Sequence, residues 1–338
     1  MHGSGTVEGS NLNDNQEEQM IASSELNGVL GMMPAFATDN ATDIRATQTI
    51  AVDNLKEGVD RIIRDGVNNI ATTGTYGECY NLLYDEFKTL AVATVDAVKK
   101  RVPLFIGVTS PNPREVIQKM NFVKDLGAEG VLLGVPYYET LHVQDAIKFY
   151  HDIADLFPTL NIVIYHNPGN HKFTIPVAAF KELVKKSNII GMKDSHRTTQ
   201  AFMNLQKIVR GKISVFVNQT QLYPYYAMGA AGCWSTEVWM GPWPVLYLLE
   251  QARKGDVTKM IEVIDDLGGV GAGKPVPGAG NKRPQEFADY CKVGPTRVPF
   301  VTFPESELDK ARKRAAHWME LNKKYRPLVE ALRSRTAA

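Results

Sequence analysis

Cysteine is scarce: Cys79, Cys233 and Cys291 are the three in 338 residues, and no two form a C-x-x-C pair. That spacing supplies neither a disulfide framework nor a thiolate zinc site, and it makes a reducing cytoplasm the expected compartment. Net charge is also lacking. Lys and Arg number 38 against 37 Asp and Glu, which excludes a nucleic-acid binder relying on bulk positive charge. No window approaches the ~20 consecutive apolar residues of a membrane-spanning helix. The N-terminus is Gly-, Ser-, Asn- and Glu-rich and has no apolar run of the kind that directs export. The seven histidines, among them His142, His151, His166, His171 and His196, show neither H-x-x-x-H nor H-E-x-x-H spacing, so no metal site is expected. What is present is an apolar share of 44%, enough for a large core.

From Gly28 onward short apolar runs alternate with longer amphipathic stretches, the pattern of parallel strands joined by crossover helices. Eight strands are expected, at Gly28–Met33, Asn69–Thr73, Pro103–Val108, Gly130–Gly134, Asn161–Tyr165, Ile189–Lys193, Ile213–Val217 and Gly232–Ser235. Helices are expected between them at Asp53–Arg64, Glu86–Lys100, Pro113–Leu126, Val143–Leu156 and Pro176–Lys186. Eight strand–helix units without interruption favour a closed (β/α)8 barrel over an open sheet. The first strand reads GMMPAFATD, with no G-x-G-x-x-G dinucleotide fingerprint after it. Residues 1–24 read as a flexible lead, 25–243 as the barrel, and 244–338 as a helical C-terminal region. In that region helices are expected at Val245–Arg253, Val257–Leu267, Pro284–Tyr290 and Glu305–Leu332, interrupted by the Gly/Pro-rich segment Gly268–Gly280.

Barrels of this class do chemistry where strands end, so the last residue of each run carries the most information. After the second strand comes Gly74-Thr75-Tyr76-Gly77-Glu78. Its glycines allow a tight turn that aims N–H groups at an anion, such as a carboxylate; an ordinary glycine turn with Glu78 capping a helix is the alternative. The fifth strand delivers Tyr165, then His166, Asn167, Pro168 and Gly169. A phenol there can shuttle a proton and Asn167 can hold a water, unless the ring merely packs. The sixth strand ends in Lys193, followed by Asp194, His196 and Arg197 within four residues. An ammonium at the end of an apolar strand loses hydration, its pKa falls, and the free amine becomes a nucleophile for ketones. A salt bridge from Lys193 to Asp194 or Glu78 is the competing explanation. The eighth strand brings Trp234 and Ser235 to the same rim, where Trp234 can wall a substrate pocket or simply fill core.

In order and spacing, GTYGE, IYHNPG and GMKDS match the motifs of the pyruvate-dependent class I aldolases, the dihydrodipicolinate synthase and N-acetylneuraminate lyase superfamily. The resemblance spans roughly Leu26 to Trp243. It implies that Lys193 is the Schiff-base lysine, Tyr165 the proton-relay tyrosine, and Gly74, Thr75 and Tyr76 the loop holding the pyruvyl carboxylate. Departures narrow it further. No arginine follows Gly169, where the chain reads Asn170, His171 and Lys172; Tyr76 stands where the synthases carry Thr; and Ser110-Pro111-Asn112 replaces a loop tyrosine. Tyr76, Cys79, Asn167-Pro168, Trp234-Ser235, Gly241-Pro242 and the stretch Val293–Pro299 resemble instead the hydratase-aldolases that act on benzylidenepyruvates in naphthalene and phenanthrene breakdown.

That resemblance implies cleavage of an aryl-substituted β,γ-unsaturated α-keto acid to an aromatic aldehyde and pyruvate through an imine on Lys193, with Tyr165 as acid/base and Asn167 holding the attacking water. No cofactor is implied, and a homotetramer is. His196 and Arg197 follow the lysine strand, and a guanidinium there pairs well with a ring carboxylate. This favours trans-2'-carboxybenzalpyruvate over the o-hydroxy compound, unless Arg197 lies in solvent. Rival readings are a pyruvate lyase acting on a sugar acid and a non-catalytic keto-acid-binding barrel. Against the sugar acid stand Tyr76, Tyr137, Tyr138, Trp234 and Trp239, which suggest a flat aromatic pocket.

Overall fold

The computed structural model of the chain describes residues 20–194, 196–268 and 282–336. Eight parallel strands close into a barrel in sequence order: β1 Gly28–Met32, β2 Asn69–Ala71, β3 Leu104–Gly107, β4 Gly130–Leu133, β5 Asn161–Tyr165, β6 Ile189–Lys193, β7 Ser214–Asn218 and β8 Gly232–Ser235. The helices around it are α1 Val52–Arg64, α2 Tyr84–Val98, α3 Pro113–Val123, α4 Val143–Leu156, α5 Pro168–His171, α6 Phe180–Leu183, α7 Thr199–Val209 and α8 Leu222–Tyr225. Beyond the cylinder lie α9 Trp243–Lys254, α10 Val257–Asp266, α11 Arg283–Glu286 and α12 Glu305–Thr336.

Alternation along the strands splits the core in two. Leu30, Phe105, Leu132, Val163, Ile190 and Phe216 fill the interior, while residues such as Val29, Ile106, Val131, Ile164 and Met192 pack outward against the helices. In β6 the alternation is broken. The pairing register with β5 shifts at Ile162/Val163, so that Val163 faces Gly191. Ile190 points inward, and a Cβ at Gly191 would also point inward, 2.7 Å from Leu26 Cδ2 and 3.1 Å from Val163 Cγ2. Two consecutive inward residues send Met192 out and Lys193 in, beside its register partner Tyr165.

Several expected elements differ from those observed. The Pro176–Lys186 helix is a single 3-10 turn, Val177–Ala179, running into α6, because Pro176 stays in extended backbone as the cap. The Pro284–Tyr290 helix shortens to α11, after which the chain bends to bury Ala288, Cys291 and Val293. Residues 1–19 of the expected lead lie outside the described residues, but its end is packed. Ser23 accepts from Ser214 Oγ at 2.6 Å, and Ile21 and Leu26 seal the interior at the bottom of the barrel. Of the segment Gly268–Gly280, all but Gly268 lies outside the described residues.

The C-terminal region is joined to the barrel mouth by buried and half-buried polar contacts. Trp318 on α12 donates to Gly241 O at 2.9 Å, and Arg314 pairs with Glu237 at 3.0 Å. Deeper in, Glu78 is fully buried and accepts from Lys282 Nζ at 3.0 Å, the Arg297 N–H at 3.0 Å and the Arg297 guanidinium at 2.6 Å. Both cations are themselves buried. Removing one member of such a cluster leaves uncompensated charge in low dielectric. Glu78→Ala is therefore expected to lower the unfolding free energy by about 3 kcal/mol or more, read as a lower urea midpoint at unchanged slope.

Candidate active site

Where β5 and β6 end side by side, Tyr165 and Lys193 converge on the barrel axis. Lys193 is only 5% exposed. Its Nζ lies 3.7 Å from the ring centroid of Trp234 and 5.1 Å from that of Tyr165, and it makes no hydrogen bond or ion pair among the described residues. Burial lowers its pKa to about 7, although the neighbouring Asp194 pulls the other way. A buried lysine whose ammonium is this readily deprotonated, next to a phenol, can act as a nucleophile for a carbonyl carbon.

The Tyr165 hydroxyl is held from three directions. It accepts from the Thr75 N–H at 3.1 Å and from Asn167 Nδ2 at 3.0 Å, and donates to Thr75 Oγ1 at 2.9 Å. Asn167 and Asn170 both donate to the same Thr75 Oγ1, at 3.2 and 3.3 Å. Burial raises the phenol's pKa, with the Thr75 hydrogen bonds opposing, so the hydroxyl stays protonated and carries no charge. The loop supplying Thr75 turns tightly: a Cβ at Gly77 would lie 2.8 Å from Thr73 N and 2.9 Å from Met33 O. Two non-glycine residues in left-handed backbone, Thr73 (φ 40°) and Glu78 (φ 51°), bracket it. Gly74 lies against Tyr165, its absent Cβ 3.6 Å from the hydroxyl.

Asp194 next to the lysine is neutralised by two partners. His166 Nδ1 is 2.9 Å from one carboxylate oxygen, and Arg197 Nε forms an ion pair with the other at 2.7 Å. His166 Nε2 accepts from the Ile175 N–H at 3.1 Å, so the proton sits on Nδ1 and is donated to Asp194. Burial lowers the His166 pKa and keeps the ring neutral. Burial works to raise the Asp194 pKa, but the His166 hydrogen bond and the Arg197 charge outweigh it and hold the carboxylate below its usual range. His166, Asp194 and His196 do bring three potential metal-binding atoms within 4.8 Å of one another. Two of those residues already spend their lone pairs on Ile175, on each other and on Arg197, and the guanidinium beside them repels a cation.

Other residues singled out from the sequence sit elsewhere. Arg197 is not free to meet a ring carboxylate, nor does it lie in solvent: it is buried, paired with Asp194, and donates to Ile175 O at 2.8 Å. Ser235 is fully buried on the opposite face of β8 from Trp234, where its Oγ accepts from the Val238 N–H at 3.2 Å and caps a turn. Trp239 is fully buried in the outer core, edge-on to Phe36. Tyr76 also packs on that outer core, its hydroxyl buried without a partner among the described residues and its pKa raised by burial and by Glu237. His196 is exposed, with its ring edge-on to His166. Tyr138 is largely exposed.

His171 and Asn170 are site residues that the motifs did not single out. His171 is buried edge-on to Tyr165, with centroids 5.0 Å apart, and stacks on Tyr137. Its seat exists because residue 134 is glycine, where a Cβ would lie 2.4 Å from the imidazole Cε1. Burial, and then the charge of Lys193, lower its pKa to about 4. The signal available was Gly134 directly after β4 and a histidine five residues past His166.

Comparisons with known proteins agree with this arrangement. The profile of the dihydrodipicolinate synthetase family matches residues 30–268. A trans-O-hydroxybenzylidenepyruvate hydratase-aldolase from Sphingobium xenophagum is 30% identical, over 88% of this chain and 95% of that one. A trans-2'-carboxybenzalpyruvate hydratase-aldolase from Nocardioides sp. (strain KP7) is 24% identical, over 90% and 96%. The solved structure of PhdJ bound to a substrate intermediate superposes with a TM-score of 0.85 at 27% identity, covering 90% of this chain and 99% of that one. A closed barrel with Lys193 and Tyr165 paired at its mouth, matched by a profile over most of its length, places the chain in the dihydrodipicolinate synthetase family.

Proposed function

We propose that this chain is a class I hydratase-aldolase that cleaves an aryl-substituted β,γ-unsaturated α-keto acid to an aromatic aldehyde and pyruvate. It is a carbon–carbon lyase by its relationship to named hydratase-aldolases. The observation that carries the reading is the buried Lys193 amine, with no hydrogen-bond partner among the described residues and with Tyr165 adjacent. The substrate carboxylate meets the 74–77 loop, where the Tyr76 and Gly77 N–H groups bond no described residue.

The Lys193 amine adds to the ketone and water leaves, giving a protonated imine conjugated with the double bond. Water held by Asn167 adds at the carbon next to the ring and gives up a proton, and the conjugated electrons collapse onto nitrogen as an enamine. A proton delivered to the carbon between restores the protonated imine. Loss of the proton from the new hydroxyl then breaks the carbon–carbon bond and sends its electron pair into the iminium. The aldehyde departs, the enamine takes a proton at carbon, and hydrolysis returns pyruvate and the free amine. Tyr165 relays these protons along its bond to Thr75. Because the imine is the electron sink, the scheme calls for no separate cofactor.

The case for an ortho carboxylate on the ring rested on Arg197, and that guanidinium is committed to Asp194. The relatives named for the o-hydroxy compound are 28–30% identical, against 24% for the carboxy one. The o-hydroxy substrate, giving salicylaldehyde and pyruvate, is therefore carried forward. The reading also includes a homotetramer in the cytoplasm. The first part rests on family resemblance, and sedimentation velocity tests it. No helix among the described residues is long and apolar enough to cross a membrane.

Borohydride reduction in the presence of pyruvate is expected to add one covalent mass at Lys193, and Lys193→Ala to lose both the adduct and aldehyde release. An adduct elsewhere, or turnover without the amine, overturns the mechanism. Tyr165→Phe is expected to lower kcat by about 100-fold or more. Comparing release of salicylaldehyde with that of 2-carboxybenzaldehyde decides the ring substituent.

The rate of imine formation is expected to follow the free amine. It rises about tenfold per pH unit below the lysine's midpoint and levels off above about 7. Removing the guanidinium in Arg197→Met leaves more of the Asp194 charge to hold the ammonium. Its midpoint is then expected to move up by about one unit, read from the same trapping profile.

A further inference from the structure

One side of the reacting nitrogen is closed by an indole. Lys193 Nζ sits 3.7 Å from the Trp234 ring centroid, and Trp234 is fixed there at two points. Its backbone lies in β8, in register with Leu30 on one side and Asn218 on the other, and its Nε1–H donates to Asp194 O at 3.1 Å. The second bond ties the ring to the residue that follows the lysine, so indole and amine are held as a unit.

The face of an aromatic ring attracts a cation and is nearly indifferent to a neutral amine. In the aldolase cycle set out above, this nitrogen is neutral when it attacks, cationic as the protonated imine, and neutral again as the enamine. We propose that Trp234 is a catalytic residue whose ring face stabilises the cationic imine at the Lys193 nitrogen, rather than a wall of the aryl pocket. The inference rests on the imine reading of Lys193.

The other groups around the nitrogen leave most of this task to the indole. From β5 comes Tyr165, whose ring also offers a π face but from 5.1 Å against 3.7 Å for the indole, and whose hydroxyl is protonated and turned to Thr75. From α5 comes His171, kept neutral by burial. On β6 itself the Asp194 carboxylate is directed to His166 and Arg197. Cation stabilisation favours capture of the ketone, and part of it is given back when the charge is discharged into the enamine. Loss of the ring therefore weakens capture more than bond cleavage, and kcat/KM falls further than kcat.

Trp234→Phe, which keeps a π face, and Trp234→Leu, which removes it, test this in the full chain. Graded pyruvate with borohydride gives the imine formation constant. The pH dependence of Lys193 acylation by a small reagent, without pyruvate, gives the titration midpoint of the amine. The Leu variant is expected to need about tenfold more pyruvate for half-trapping, with its midpoint lowered, and the Phe variant to stay within about threefold of the parent. Equal losses in Phe and Leu, or an unmoved midpoint in Leu, overturn the assignment.

Should the Leu variant not fold, mono-, di- and trifluorotryptophan incorporated in the otherwise unchanged chain drain charge from the ring at nearly constant shape. Of the other three tryptophans, Trp239, Trp243 and Trp318 all lie in the outer core. A stepwise weakening of imine formation supports the proposal and a flat series overturns it. A parent protein that never forms an adduct would sink the aldolase reading, while the acylation midpoint would still show whether the indole holds a cation.

Discussion

Orientation of the lysine depends on one irregularity in β6. Strict alternation from an inward Ile190 would turn Lys193 toward the helices, where a charge or a free amine has nothing to react with. The register shift opposite Ile162/Val163 adds one inward residue, Gly191, and reverses the parity of everything after it. Tyr165, on the regular neighbour β5, needs no such correction. A phenol and an amine adjacent in register thus arrive in the same interior, and the rest of the mouth is arranged around that pair.

Electrostatics follow from the same placement. An amine brought into low dielectric gives up its proton more readily, but a bare carboxylate next to it would reverse the effect. Asp194 is that carboxylate, and Arg197 and His166 absorb its charge away from the lysine. The same arrangement recurs at Glu78, where Lys282 and Arg297 balance a carboxylate inside the loop that carries Thr75. In both places a buried anion is balanced by buried cations, Arg197 at Asp194 and Lys282 with Arg297 at Glu78.

Much of the scaffold was legible in the residues. β5, β6 and β8 fall where their apolar runs begin and end, because each stops abruptly at a polar or aromatic residue. Tyr165, Lys193, Thr75 and Asn167 come together because strand ends converge at one face of a barrel. Parity and distant partners were not legible. Ser235 and Trp234 are neighbours in sequence and occupy opposite faces; Arg197, four residues past the lysine, finds its counter-ion three residues back. The partners of Glu78 lie 204 and 219 positions away, a separation that no local pattern encodes. Trp239 looked like Trp234 in composition, but its layer was decided by the turn after β8.

The bonding of Glu78 has a consequence for how the protein comes into being. A ribosome that has released the chain as far as Trp243 has delivered all eight strands, with Lys193 and Tyr165 among them. It has not yet delivered Lys282 or Arg297. Until those two emerge, the carboxylate behind the glycine turn has neither of its cations, and the nascent cylinder holds Lys193 and Tyr165 before the loop that carries Thr75 is secured.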